Sequence, residues 1–287
     1  MKWTPSGTSQ DIEDRRDQGG GGFLFGGMHM GIGGALILLV LSLVFRQNFF
    51  ALLGGGGPGR GSPEMSQPDP ARDQQEQPMV QFISFVLDDT QKTWEQILPQ
   101  QAGAPYRHAK LVLFRNYTQS GCGSAESATG PFYCPQDEKV YIDLGFYDEL
   151  SQRFGAPGQF AQAYVLAHEI GHHVQKIIGI ESRVRRLQAG DPGVRNQVSV
   201  LMELQADCFA GIWAHSTQQR NLLEQGDVQA ALGAAAAVGD DRLQKMATGH
   251  VSPDSFTHGS STQRMQWFEK GFDSGTISAC NTFDSMQ

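Results

Sequence analysis

Hydrophobic and polar positions divide the chain of 287 residues into four unequal stretches. Residues 1–22 are polar, charged and glycine-rich with no apolar period, which predicts a short disordered tail. Residues 23–46 are almost wholly apolar, and the part from Gly26 to Phe45 carries only His29 as an ionisable group. That part has about the 20-residue length that crosses a bilayer, so one N-terminal transmembrane helix is expected. No small-x-small cleavage site separates it from Arg46, so it reads as an uncleaved signal anchor rather than a removable leader. Residues 47–79 hold Gly54 to Gly57 with Pro58, Pro63, Pro68, Pro70 and Pro78 among few apolar side chains, the composition of a flexible linker. Residues 80–287 carry regular periods and are expected to form one folded domain.

Within that domain Phe82, Ile83, Val86, Leu87, Thr90, Trp94 and Ile97 trace a helical stripe ending before Pro99. Lys110 to Arg115 and Val140 to Leu144 read as strands. Ala161, Val165, Ala167, Ile170, Val174 and Ile177 recur at helical spacing between Gly158 and Gly179, which predicts a helix over 159–178. Val198, Leu201, Met202, Phe209, Ile212 and Trp213 mark a second amphipathic helix. An alanine-rich stretch over 222–246, broken at Gly239-Asp240-Asp241, adds one or two packing helices, and a last helix contains Arg264, Trp267 and Phe268. The fold class expected is α+β, mainly helical with a small β-sheet, plus the N-terminal transmembrane helix.

The chemistry concentrates in His168-Glu169-Ile170-Gly171-His172. Residues four apart share a helix face, so His168 and His172 can put imidazole nitrogens on one small cation, for which one Zn2+ per chain is the natural choice. Glu169 lies beside the first histidine and can reach a water on the open side of the metal, which makes it the candidate general base. Catalytic zinc sites use three protein ligands. Gln175 and Ile178 stand where a metzincin would carry glycine and histidine, so that class is excluded. Glu203 and Asp207 instead stand four apart on the next amphipathic helix, and such a pair is costly to bury without a cation. Glu203 is the candidate third ligand, and Asp207 the acceptor for the second ring N–H of a ligating histidine. His258, in a loop before the last helix, is the candidate stabiliser of the negative oxygen formed in hydrolysis, with Arg264 second. The bland readings are a solvated histidine pair, a solvated acidic face and a structural loop histidine.

His168-Glu169-x-x-His172 followed by Glu203-x-x-x-Asp207 resembles the gluzincin metallopeptidases. The wider run is similar to the bacterial putative neutral zinc metallopeptidase family, through Gly121-Cys122-Gly123-Ser124-Ala125, Gly130-Pro131-Phe132-Tyr133-Cys134-Pro135, Val140-Tyr141-Ile142-Asp143 and His258-Gly259-Ser260-Ser261. The resemblance implies a gluzincin-like core in a membrane-anchored, zinc-dependent endopeptidase that hydrolyses unidentified protein or peptide substrates outside the cytoplasm. The alternative is a zinc-containing but proteolytically inactive envelope protein with a binding or chaperone-like role. In such peptidases an edge strand beside the active-site helix takes the extended substrate backbone, and Val140 to Leu144 is expected to be that edge.

Charge and cysteine narrow the setting. Residues 61–287 carry 17 basic and 26 acidic side chains, which argues against nucleic acid as a partner. Lys2, Arg15 and Arg16 precede the apolar run and only Arg46 closely follows it, so the N-terminus is expected in the cytoplasm and the domain in the periplasm, tethered to the inner membrane. All four cysteines lie beyond the run. Cys122 and Cys134 flank a Gly/Ser-rich loop and are expected to pair locally, leaving Cys208 with Cys280; four reduced thiols are the competing state. The sequence leaves the oligomeric state open.

Overall fold

The structure is a computed structural model, and it describes residues 1–17, 70–126 and 129–284. The described chain is mostly helical with two small sheets. Helix α1 (Pro70–Ala102) buries Val80, Phe82, Ile83, Val86, Leu87, Trp94 and Leu98 at intervals of three and four, the apolar stripe of a core-facing helix. It starts inside the stretch expected to be linker, and residues 70–79 are therefore helical. Arg72 and Glu76 pair one turn apart at 2.8 Å, while Asp73 and Glu76 hold Arg115 at 2.6 and 2.7 Å. The helix runs past the end expected before Pro99 and reaches Ala102, and Pro99, lacking an N–H, gives up the bond to the carbonyl four residues back.

The larger sheet contains β1 (Ile12–Asp14), β2 (Lys110–Phe114), β5 (Phe132–Cys134) and β6 (Lys139–Asp143) in the order β1-β2-β6-β5. The first three in that order run parallel, and β5 turns back antiparallel on β6 with Tyr133 opposite Val140. Strands β3 (Tyr117–Ser120) and β4 (Gly123–Glu126) form a separate hairpin, and the Cys122–Cys134 disulfide fastens it to β5. The expected edge strand at 140–144 is thus corrected: β6 is interior and the outer strand is β5. The cause is the hairpin return through Glu138 at φ 57°, too short a signal to read from periodicity.

The expected disordered tail is corrected as well. Ile12 to Asp14 pair with Leu111 to Leu113, and the Met1 ammonium meets Asp227 at 2.9 Å and Glu224 at 3.1 Å. Charges that look solvated in the sequence have partners far along the chain: Asp11 accepts from Lys110 Nζ at 2.7 Å and Gln91 Nε2 at 2.8 Å. Residues 1–17 and 70–284 consequently form one body, and both flanks of the apolar run lie on the same side of any bilayer. That placement overturns a single crossing with the N-terminus in the cytoplasm and the domain in the periplasm. The span expected over 23–46 lies outside the described residues, and among those described no helix is long and apolar enough to cross a membrane.

His108 fastens this N-terminal segment, with Nδ1 2.5 Å from Asp11 and Nε2 2.8 Å from Glu95. Partial burial opposes its charging, but the two carboxylates outweigh that and raise its pKa above 6.5. Burial would raise Asp11, yet Lys110 and His108 hold it below 3.8. The raised imidazole contributes stability below its unfolded pKa and loses it as pH rises through the folded value; the lowered carboxylate does the reverse on the acid side. His108→Gln is therefore expected to lower the melting temperature most below the unfolded pKa of about 6.5, with the gap to wild type closing as pH rises through the raised folded value. A gap independent of pH would show that the imidazole charge has no part in the fastening.

Helix α3 (Gln159–Ile177) runs through the centre, packed against α5 (Arg195–Gln219) and α6 (Asp227–Ala237). Helix α2 (Gly145–Gln152) precedes it, α4 (Ile180–Gly190) follows and packs on it, α7 (Asp240–Thr248) packs on α6, and α8 (Ser261–Ser274) closes onto α5. The α5–α8 contact is backbone on backbone: a Cβ at Gly211 would collide with the Phe268 carbonyl, and one at Gly271 with the Cys208 carbonyl. Cys208 and Cys280 form the second disulfide, so both expected pairings are present.

Candidate metal centre

Gly171 decides how close α3 and α5 come. A Cβ there would sit 3.0 Å from the Ala206 carbonyl oxygen, so only a bare backbone lets the two helices approach this far. The approach carries Glu203 on α5 to the two histidines on α3, at 3.2 Å from His168 Nε2 and 3.5 Å from His172 Nε2. One donor atom from each of His168, His172 and Glu203 lies within 4.8 Å of the others. These residues line a cleft of about 400 Å³ together with Phe132, Phe146 and Val165.

The outer ring nitrogens are already committed. His168 Nδ1 lies 2.8 Å from Asp207, a carboxylate that can only accept, so the ring donates from Nδ1 and turns the Nε2 lone pair toward Glu203. His172 Nδ1 lies 2.8 Å from Gln175 Oε1, and the Gln175 amide nitrogen donates to the Met202 carbonyl and to Gln205 Oε1. His172 therefore also presents Nε2. Two Nε2 lone pairs and one carboxylate facing one point form a donor set suited to zinc, and the cleft leaves an open side.

The electrostatics favour positive charge at that point. Burial disfavours the imidazolium of His168, but Asp207 and Glu203 outweigh it and raise the pKa to about 10. Burial likewise opposes charge on His172 and is overcome by Glu203. Glu203 itself stays well below the ordinary carboxylate range despite burial, because the two imidazoles face it. Asp207 is fully buried, and burial pushes its pKa up, yet Arg264 and His168 bring it below the usual value. Arg264 on α8 grips it with Nε at 2.8 Å and Nη2 at 2.9 Å, and Tyr164 adds a hydroxyl donor. The guanidinium expected as a second oxyanion candidate is thus spent on Asp207.

Glu169 lines the cleft, and among the described residues no group hydrogen-bonds its carboxylate. His258 also lines the cleft from its loop, half-exposed, with Nδ1 3.2 Å from Asp240. Asp240 further accepts the backbone N–H groups of Thr257, His258 and Gly259, which fixes the loop. Its hydrogen bond, working against burial, raises the His258 pKa above the usual imidazole value. Sequence reasoning missed Gln175, noted only for excluding the metzincins, although its place three residues after His172 puts it on the same helix face. It also missed Tyr164, the Arg264–Asp207 pair and His173.

Two crossed helices presenting His-Glu-x-x-His and a downstream glutamate define a protein of the zinc metallopeptidase type. The chain belongs to the putative neutral zinc metallopeptidase family, whose model matches residues 1–283. The uncharacterized protein YpfJ of Escherichia coli (strain K12) is 49% identical over 288 residues, covering 99% of each chain. The uncharacterized protein Rv2575 of Mycobacterium tuberculosis (strain ATCC 25618 / H37Rv) is 41% identical over 203 residues, 67% of this chain and 66% of that one. No solved structure matches the chain.

Proposed function

We propose that the chain is a zinc-dependent endopeptidase acting on protein or peptide substrates. The observation that carries the reading is the pairing of His168 and His172: each ties Nδ1 back to a side chain and turns Nε2 toward Glu203. His168, His172 and Glu203 would hold the ion, and Asp207 orients His168. Zinc, when bound, supplies a Lewis acid that polarises a carbonyl and makes water nucleophilic near pH 7. Glu169, uncommitted and facing the cleft, takes the proton of the attacking water and returns it to the leaving amine. His258, held by Asp240, donates to the oxygen that gains negative charge. Because β5 is the outer strand and Tyr133 lines the cleft, an extended substrate pairs its main chain with β5.

Removal of metal by a chelator should stop cleavage of unfolded casein, and one equivalent of zinc should restore it. A protein that takes up zinc and cleaves nothing at any pH would favour a binding or chaperone-like role. Cleavage that persists after complete metal removal would sink the assignment.

A further inference from the structure

His173 follows the metal-facing His172 on α3, is fully buried, does not line the cleft and has no part in the proposed reaction. Its Nε2 lies 2.7 Å from the Arg107 carbonyl oxygen and its Nδ1 2.9 Å from the Tyr133 hydroxyl. A carbonyl oxygen only accepts, so Nε2 carries the hydrogen and Nδ1 of the neutral ring accepts from Tyr133. Tyr106 meets the imidazole edge-on at 5.6 Å and Tyr133 packs at 5.4 Å, which leaves the ring little freedom.

Tyr133 is the middle residue of β5, and β5 is only three residues long. It also packs against α3, but its other bonded ties among the described residues, the ladder to β6 and the disulfide from Cys134 to Cys122, do not reach that helix. The imidazole therefore joins the helix that carries the metal-facing histidines to the strand that forms the opposite wall of the cleft. It joins both to the segment before β2 as well, through Arg107.

Resting on the peptidase reading, we infer that His173 is a positioning residue: through Tyr133 it sets the gap between α3 and β5, so that a peptide backbone paired with β5 lies across the metal-facing trio. The contribution is to substrate binding and not to the bond-breaking step. A peptide that bridges the two walls needs both at a fixed separation, whereas the metal-facing atoms are oriented by Asp207 and Gln175, on the other side of the helix.

The test is a double-mutant cycle. His173→Gln keeps a donor for the Arg107 carbonyl, but its acceptor Oε1 branches from Cδ and not from Cγ, so it leaves the place from which Nδ1 accepts from Tyr133; Tyr133→Phe loses the donor from the other side. With zinc-loaded protein and a set of quenched-fluorescent hexapeptides, each variant should raise KM about fivefold, and the double variant no further than either single change. The kcat should stay within about twofold of wild type and zinc content should be unchanged. Deuterium exchange at the amides of residues 132–134 should quicken in both variants. Additive effects, a fall in kcat at constant KM, or unaltered exchange in β5 would overturn the inference. Should His173→Gln fail to fold, Tyr133→Phe alone decides. Should the wild-type zinc protein cleave no peptide, the peptidase reading fails, while exchange at β5 still settles whether the imidazole fastens the two walls.

Discussion

Glu169→Gln is expected to lower peptide turnover by about 10²–10⁴-fold while the protein keeps its full zinc content. The substitution preserves shape and removes basicity. Glu169 is not among the three residues grouped around the metal point, and no hydrogen-bond partner among the described residues depends on its charge. Loss of activity can therefore be separated from loss of metal. The measurements are single-turnover cleavage of a fluorogenic peptide and elemental analysis of the same sample. A variant that still cleaves at the wild-type rate would move the proton to another group, with His258 the next titratable side chain on the cleft wall.

Asp207→Asn should produce the largest loss of stability. Asp207 and Arg264 are both buried and are joined by two hydrogen bonds. Burying a charge without its partner is far worse than burying neither, so removing the carboxylate alone should cost about 3–5 kcal/mol. The same carboxylate orients His168, and its loss should weaken zinc binding by roughly 10–100-fold. The two effects separate in a second variant. Asp207→Asn combined with Arg264→Met removes both charges and should recover most of the stability but none of the zinc affinity. Denaturant unfolding and competition with a zinc indicator provide the two readouts. Equal recovery of both quantities would mean that Asp207 acts on the metal only by keeping the protein folded.

The elements that could be read from sequence are those whose cause is local. Helix α3 shows itself because its apolar residues recur within a few turns and its histidines stand four apart. Glu203 and Asp207 are visible for the same reason, as two acids one turn apart in an apolar segment. What was not legible depends on partners far along the chain. The first seventeen residues look like a solvated tail because nothing near Asp11 or Met1 reveals Lys110 or Asp227. Strand β5 is too short to show a period, and the neighbouring and longer β6 is the strand that the sequence displays. Gly171 resembles any helical glycine until Ala206 is found against it. Gln175 shows the opposite difficulty, since the feature that rules out one ligand pattern also supplies the bond that orients His172.

The N-terminal strand has a practical consequence for anyone preparing this protein. Trimming the chain at residue 70 to discard the greasy stretch would also discard β1, leaving the Leu111–Leu113 side of β2 with unpaired main-chain donors and acceptors. A shortened polypeptide of that kind is a template for sticking to its own copies. Supplying residues 1–17 as a separate peptide, or fusing them ahead of Pro70 through a soluble spacer, would cap that row again.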